Sequence, residues 1–181
     1  MTKTKILPAL PYIGIPLIMV ALLLLRAGRI DSFILLRYEI IVVFGYVAAV
    51  VDIKEKRIPN TLILAMLSAW VLIMVPKLFT DISTTLVLLT DSVIGMALGG
   101  GVFLVVYLIS RKGLGGGDVK YMASAGLYLG LSGVMPAMFC GTVAAALVGV
   151  ALIVLKKIGR KDTIPLAPFL YAGILITVIL V

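Results

Sequence analysis

Seven long apolar runs follow one another along this sequence, and a chain built that way has few folds open to it. They are Ile6–Leu25, Phe33–Val51, Thr61–Phe79, Leu86–Ile109, Val119–Leu131, Met135–Leu155 and Ile164–Val181. About 20 apolar helical residues cross the roughly 30 Å hydrocarbon core of a bilayer, with every backbone polar group satisfied inside the helix. Of the 181 residues 62% are hydrophobic and only 13% charged, where soluble domains carry about 25% charged residues. So much apolar surface has no place in a water-facing core. The expected fold class is all-α, a polytopic helical membrane protein with six to seven transmembrane helices in one membrane-embedded domain over residues 1–181.

Basic residues orient the spans. If loops alternate sides, Lys3, Lys5, Lys54, Lys56, Arg57, Arg111, Lys112, Lys120, Lys156, Lys157, Arg160 and Lys161 share one face. Arg26, Arg29, Arg37 and Lys77 are left for the other. By the positive-inside rule the richer face is cytoplasmic, so the N-terminus is expected inside. The net charge of +8 then reads as a collar beside anionic headgroups, with no nucleic-acid partner expected. Arg37 and Glu39, near the start of the second run, are expected to snorkel toward the headgroups. The first run lacks an A-x-A-like cleavage site after it, and is expected to be retained as a span.

Two local patterns refine the picture. Gly95 with Gly99, and Gly126 with Gly130, place small residues four apart, which predicts close helix–helix approach. Ser132-Gly133 is expected to turn the short fifth run back into the sixth.

Composition also prunes the chemistry. The sequence has no histidine, so Ser-His and Cys-His nucleophile systems are excluded, as is His-ligated zinc. The single cysteine, Cys140, makes neither an internal disulfide nor a thiolate cluster. Any catalysis falls to carboxylates, lysines, tyrosines or backbone groups.

Topology sorts the eight acidic residues. Asp31, Asp81 and Asp91 fall at the external side with Glu39 near it, while Asp52, Glu55, Asp118 and Asp162 fall at the cytoplasmic side. Two complete spans separate Asp52 from Asp118, so the two share a face whichever way the chain inserts. Glu55 sits within Lys54-Glu55-Lys56-Arg57 and Asp162 beside Lys161, as solvated, ion-paired charges would. Asp52 instead ends the apolar run 40–51, and Asp118 follows Gly115-Gly116-Gly117 at the entry to the fifth run. That run, Val119–Leu131, makes only about 20 Å of helix, so either it bends the membrane or it starts below the surface, and in the second case Gly115–Asp118 is non-helical backbone lining a protein cavity. An ionisable residue there points to function.

Two facing carboxylates form a chemical tool. At 4 Å and an effective dielectric near 20 their repulsion is about 4 kcal/mol, enough that one keeps a proton while the other ionises. Such a pair activates water as base and protonates a carbonyl or leaving nitrogen as acid. Peptide hydrolysis then requires neither histidine nor metal.

The segment Asp52-Ile53-Lys54-Glu55-Lys56-Arg57-Ile58-Pro59-Asn60, followed by Gly115-Gly116-Gly117-Asp118-Val119-Lys120, resembles the type IV prepilin peptidases, membrane aspartic proteases of the GxGD kind. The aspartates stand 66 residues apart, and Ile164-Pro165-Leu166-Ala167-Pro168-Phe169 resembles the family's Pro-rich entry into its last helix. The likeness runs over about residues 40–175, leaving 6–25 as an extra N-terminal span. It implies an endopeptidase that removes the short basic leader of prepilins or pilin-like proteins at the cytoplasmic membrane boundary, in the inner or cytoplasmic membrane of a prokaryote. Asp52 and Asp118 take the catalytic positions, and Gly115 and Gly117 the motif glycines. Lys120 is either a cytoplasmic anchor or a residue tuning the pair; Pro59 and Asn60 make a pre-helical turn, with Asn60 as N-cap of the third span. The implied partners are a pilin-like substrate and the bilayer, with no cofactor and no metal. Larger members also N-methylate the new terminus and carry paired Cys-x-x-Cys motifs that this sequence lacks, so a small peptidase-only form is expected.

Other functions would use the same aspartates. A presenilin or signal-peptide-peptidase relative would place Tyr before the first aspartate, where Val51 stands, and a Pro-Ala-Leu motif near the end, where the sequence reads Pro165-Leu166-Ala167-Pro168. An ion-coupled transporter or channel would place its carboxylates at mid-membrane rather than at span boundaries. A non-catalytic pilus-assembly scaffold would retain the motif without the chemistry.

Overall fold

The computed structural model describes residues 30–110, 113–157 and 164–180, together with Leu22, Arg26, Gly28 and Gly159. The expected first span, Ile6–Leu25, lies outside the described residues except for Leu22. Five helices follow in chain order: α1 (Ser32–Glu55), α2 (Asn60–Thr80), α3 (Ile82–Ile109), α4 (Gly116–Val154) and α5 (Ala167–Leu180). No strand occurs among the described residues. The first four helices are long and apolar enough to cross a membrane, and α5 is a shorter apolar helix of 14 residues.

Short polar side chains start the helices on one side. The Asp31 carboxylate accepts from the Phe33 N–H at 2.8 Å, and that of Asp81 accepts from the Thr84 N–H at 3.2 Å. Both satisfy donors that a first turn leaves unpaired. At the other side Pro59 occupies the N-cap position of α2 without a side-chain cap, and Asn60 is the first helical residue. The expectation that Asn60 caps this helix is therefore corrected. Lacking an N–H, Pro59 needs no partner itself.

The bend in α4 sets the architecture. Gly130 has φ 68° and ψ −173°, a left-handed conformation that only glycine adopts without strain. Gly99 of α3 lies against both the Met122 carbonyl and the Val134 side chain. In a straight helix those two residues would stand about 18 Å apart. The chain therefore folds back at Gly130, two residues before the expected turn at Ser132-Gly133. A first arm climbs from Gly116 and a second returns toward Val154.

Small residues hold the hairpin close to its neighbours. A methyl group at Gly95 would run into the Gly126 backbone, and one at Gly173 into the Ala137 carbonyl. The first is the close approach that the four-residue spacings beginning at Gly95 and Gly126 predict; the second involves Gly173, outside those pairs. Along α5, Leu170 meets Gly141 and Thr177 meets Gly133, so α5 climbs as the second arm descends. The core sits between α1, α5 and the first arm, around the fully buried Ile41, Tyr121, Met122, Leu170 and Ile174.

Where the chain breaks at Gly130, side chains from other helices take over the backbone. The Leu131 N–H donates to Asp91 Oδ1 at 3.0 Å instead of to the Leu127 carbonyl. That carbonyl accepts from Arg37 Nη2 at 2.7 Å and from Trp70 Nε1 at 3.0 Å. Arg37 Nη2 also donates to Ser92 Oγ at 2.8 Å. Arg37 is 3% exposed and Glu39 9%, so neither snorkels. Arg37 turns inward because the interrupted helix offers it a carbonyl that nothing on its own helix can satisfy.

Candidate active site

The ends of α1, α4 and α5 come together at the face opposite the Gly130 bend. Asp52, three residues before the end of α1, is buried, and its Oδ2 accepts the Ala167 N–H at 3.0 Å. The Leu166 backbone N–H lies near the same carboxylate. These are the unpaired donors at the start of α5, and a carboxylate is the group that a helix N-terminus favours. The Pro-rich segment 164–168 thus serves Asp52 through its backbone. Between two prolines, Leu166 and Ala167 are the residues with an N–H to give.

Asp118 sits in the first turn of α4. Its carboxylate lies back toward the Gly115 backbone, on the side where a third-position acid faces the cap residue. Gly116, Gly117 and Asp118 are already helical, so only Gly115 keeps the non-helical backbone expected over 115–118. The glycines have steric reasons instead. A methyl group at Gly115 would stand 2.8 Å from Asp118 Oδ2, and one at Gly117 would stand 3.2 Å from Ile58 Cβ. The first glycine clears space for the carboxylate, and the second lets the 56–60 turn pack against the helix start.

The two carboxylates share one cleft of about 370 Å³. Asp52 and Lys56 form one wall, Gly113–Gly115 and Asp118 another, and Ile164–Leu166 the third. The pair is close enough for the charge of Asp52 to act on Asp118. The Ala167 N–H meets part of the Asp52 carboxylate, and a carboxylate has about four acceptor positions, so capacity for a ligand or a water remains. Clefts of a few hundred Å³ are the size that takes a small ligand or a short stretch of chain.

The remaining predicted residues surround this cleft without entering it. Lys120 Nζ donates to Asn60 Oδ1 at 2.9 Å, tying the start of α4 to the start of α2. Glu55 pairs with Arg57 at 3.1 Å on the exposed surface, as its neighbours foretold. Asp162 lies outside the described residues. No cluster of metal-binding side chains is formed among the described residues.

Two carboxylates from separate membrane-length helices thus share one cleft at the edge of a membrane protein whose described elements are all helices. A family model places the chain further: residues 39–150 match the type IV leader peptidase family, and the chain belongs to it. The match contains Asp52, Gly115, Gly117 and Asp118. Three relatives carry the name prepilin leader peptidase/N-methyltransferase. The chain is 28% identical to the Bacillus subtilis (strain 168) protein over 127 residues, covering 70% of this chain and 48% of that one. It is 26% identical to the one from Xanthomonas campestris pv. campestris over 120 residues, and 28% identical to the one from Aeromonas hydrophila over 125 residues. Each of the latter two matches covers 66% of this chain and 41% of the relative. The chain thus spans about half the length of the curated relatives it matches. No solved structure matches it.

Proposed function

We propose that this protein is a membrane aspartic endopeptidase that removes the short basic leader of type IV prepilins or pilin-like proteins at the cytoplasmic face of the membrane. The observation that carries this is the cleft shared by Asp52 and Asp118 within the segment matched to the leader peptidase family. The names of the relatives supply the substrate class.

The chemistry follows from the pair. One carboxylate takes a proton from a water held between the two, and the water oxygen attacks the scissile carbonyl carbon. The other, protonated, gives its proton to the carbonyl oxygen as the tetrahedral diol forms. The first carboxylate then passes the water's proton to the amide nitrogen, the C–N bond breaks, and a diol hydroxyl hands its proton to the second carboxylate, which restores the shared-proton state. Gly115 and Gly117 leave room for this geometry, while Lys120, Asn60 and Pro59 fix the helix starts that carry it.

Six membrane passes are proposed over the described residues, with α4 contributing two arms. Residues 6–25 would add a seventh in the same single domain. Lys54, Lys56, Arg57, Lys120, Lys156 and Lys157 all fall at the cleft end of this topology, which supports a cytoplasmic cleft in a prokaryotic inner or cytoplasmic membrane.

The test uses the full chain in lipid nanodiscs with a pilin-like substrate. Asp52→Asn and Asp118→Asn should each lower kcat by at least about 10³-fold, and the wild-type pH profile should be bell-shaped, as a pair sharing one proton requires. Cleavage that survives both substitutions would remove the pair from the mechanism. No cleavage by wild type across several substrates would favour the ion-coupled transporter or the non-catalytic scaffold.

A further inference from the structure

One buried carboxyl takes no part in the cleft or in the bend. Glu39 lies two turns into α1, about 10 Å along the helix from Ser32 and about 20 Å short of Asp52. It is buried, and its Oε1 has no hydrogen-bond partner. The side chain lines a groove of about 240 Å³ between α1 and α2. The rest of that lining, from Leu36, Ile40, Val43, Phe44 and Ala69, is hydrocarbon, so no described residue beside it answers the carboxyl. A polar group left so within the membrane is costly and marks a place where a partner belongs.

That partner has to bring a donor to the depth of the groove. A calcium ion would find one carboxyl and apolar walls where it takes about six to eight oxygens. A headgroup amine would have to shed its water to reach a groove with a single polar group. A hydroxyl carried on a membrane helix meets neither difficulty, because the helix satisfies its own backbone and such side chains donate across helices in lipid. The same face of this chain carries one. Ser68 is exposed on α2, adjacent to Ala69 and therefore at about the depth of the Glu39 groove. It lines a shallow groove of about 450 Å³ along the outer side of α2. Ala65 and Ala69, four apart on that helix, leave room for another backbone to come close.

An acceptor and a donor at one depth on neighbouring helices are what a two-fold contact requires. Copies inserted the same way are related by an axis along the membrane normal, which keeps each residue at its depth. An isologous contact then pairs residue i with j and j with i. We propose that the α1–α2 face pairs with the same face of a second copy of this chain, the Ser68 hydroxyl of each donating to the Glu39 carboxyl of the other. Two hydrogen bonds close the interface, and Glu39 accepts whether or not it carries a proton. The lining of the aspartate cleft includes no α2 residue, so pairing leaves that cleft open.

The test places the full chain, bearing donor or acceptor fluorophores, in phosphatidylcholine vesicles and follows energy transfer against protein density. Wild type should associate. Ser68→Ala and Glu39→Leu should each weaken association about tenfold, the size of two interhelical hydrogen bonds in lipid. Glu39→Gln keeps an acceptor and should stay near wild type. The decisive arm mixes the two weakened variants. A Ser68→Ala copy beside a Glu39→Leu copy retains one of the two bonds, so the mixed pair should associate about threefold more tightly than either variant with itself. Misfolding cannot imitate this result, since two misfolded copies do not rescue each other. Wild type monomeric at every density, association unmoved by either substitution, or a mixed pair no tighter than its parents would each overturn the proposal. A photo-crosslinker at Leu36, on the exposed edge of the groove, should join two copies in vesicles and in native membranes. Capture of lipid alone, of residues 6–25 of the same copy or of a different protein would overturn it as well.

Discussion

At one end of the helix bundle Asp52 and Asp118 face a cleft; at the other Arg37 and Asp91 face the broken backbone at Gly130. Both ends bring charge into an apolar protein, and both use it to satisfy helix termini. At the Gly130 end the partners of each charge are protein groups: the Leu127 carbonyl and Ser92 hydroxyl for Arg37, the Leu131 N–H for Asp91. At the cleft end the Ala167 N–H bonds Asp52 and the backbones of 166 and 115 lie close by, which meets only part of what two carboxylates accept, and the pair opens onto about 370 Å³ of space. A charge enclosed by protein groups is structural, even though Arg37 Nε itself is left without a partner. A charge held in place with acceptor capacity aimed at a cavity is equipped for chemistry.

The widest separation between the two ends should appear when one residue is changed at each. Asp118→Asn should abolish cleavage while leaving thermal unfolding in detergent nearly unchanged, because an amide still fits beside Gly115. Arg37→Met should do the reverse. It leaves the Leu127 carbonyl and Asp91 without their buried cation and should lower stability by about 3 kcal/mol, with kcat of the folded fraction kept. Loss of kcat in Arg37→Met without loss of stability would break the comparison.

A smaller effect is expected at the bend itself. Gly130→Ala forces a side chain into a left-handed conformation and into the Asp91 carboxylate, for a cost of about 1–3 kcal/mol. Combining it with Asp91→Ala removes the collision but not the backbone strain, so the double variant should be less destabilised than the sum of the singles. Strict additivity, measured by chemical denaturation in micelles, would mean that Asp91 and Gly130 act independently.

How far the sequence foretold these two ends differs, and for a physical reason. The cleft end was legible because loop parity and a dense pair of motifs both mark it: Asp52 and Asp118 need only an even number of spans between them to meet. The second, third and fourth apolar runs each became one helix for the same reason, as length and hydropathy alone set them. The Gly130 end was not legible. Arg37 reads as a residue free to reach the headgroups, because the carbonyl that holds it is exposed by a helix break 90 residues later. Asp91 reads as a boundary charge until Gly130 is known to be left-handed. The donors to Asp52 were hidden in the same way, since Leu166 and Ala167 act through backbone that no side-chain pattern reports. Residues whose role is set by their own segment can be read from sequence; those set by another segment's backbone cannot.

Asp81 supplies the smallest and most discriminating case, a carboxylate at the Gly130 end that is neither caged nor aimed at a cavity. It caps α3 from the exposed turn after α2, and hydrogen bonds from Thr84 first, then Ser83, with Lys77 nearby, hold its pKa below the ordinary aspartate value. A carboxyl whose folded pKa is lowered contributes stability that is present above its unfolded pKa and lost as pH falls through the folded one. Asp81→Ala should therefore lower the unfolding temperature slightly at neutral pH, and the difference from wild type should close as the pH drops below the folded value. Asp81→Asn keeps an acceptor for the Thr84 N–H at every pH, so its difference from the alanine variant should persist in acid. If the wild-type and alanine curves stay parallel down to acid pH, the side chain contributes through the neutral cap alone. Exposure would then separate Asp81 from the cleft aspartates more completely than hydrogen bonding does.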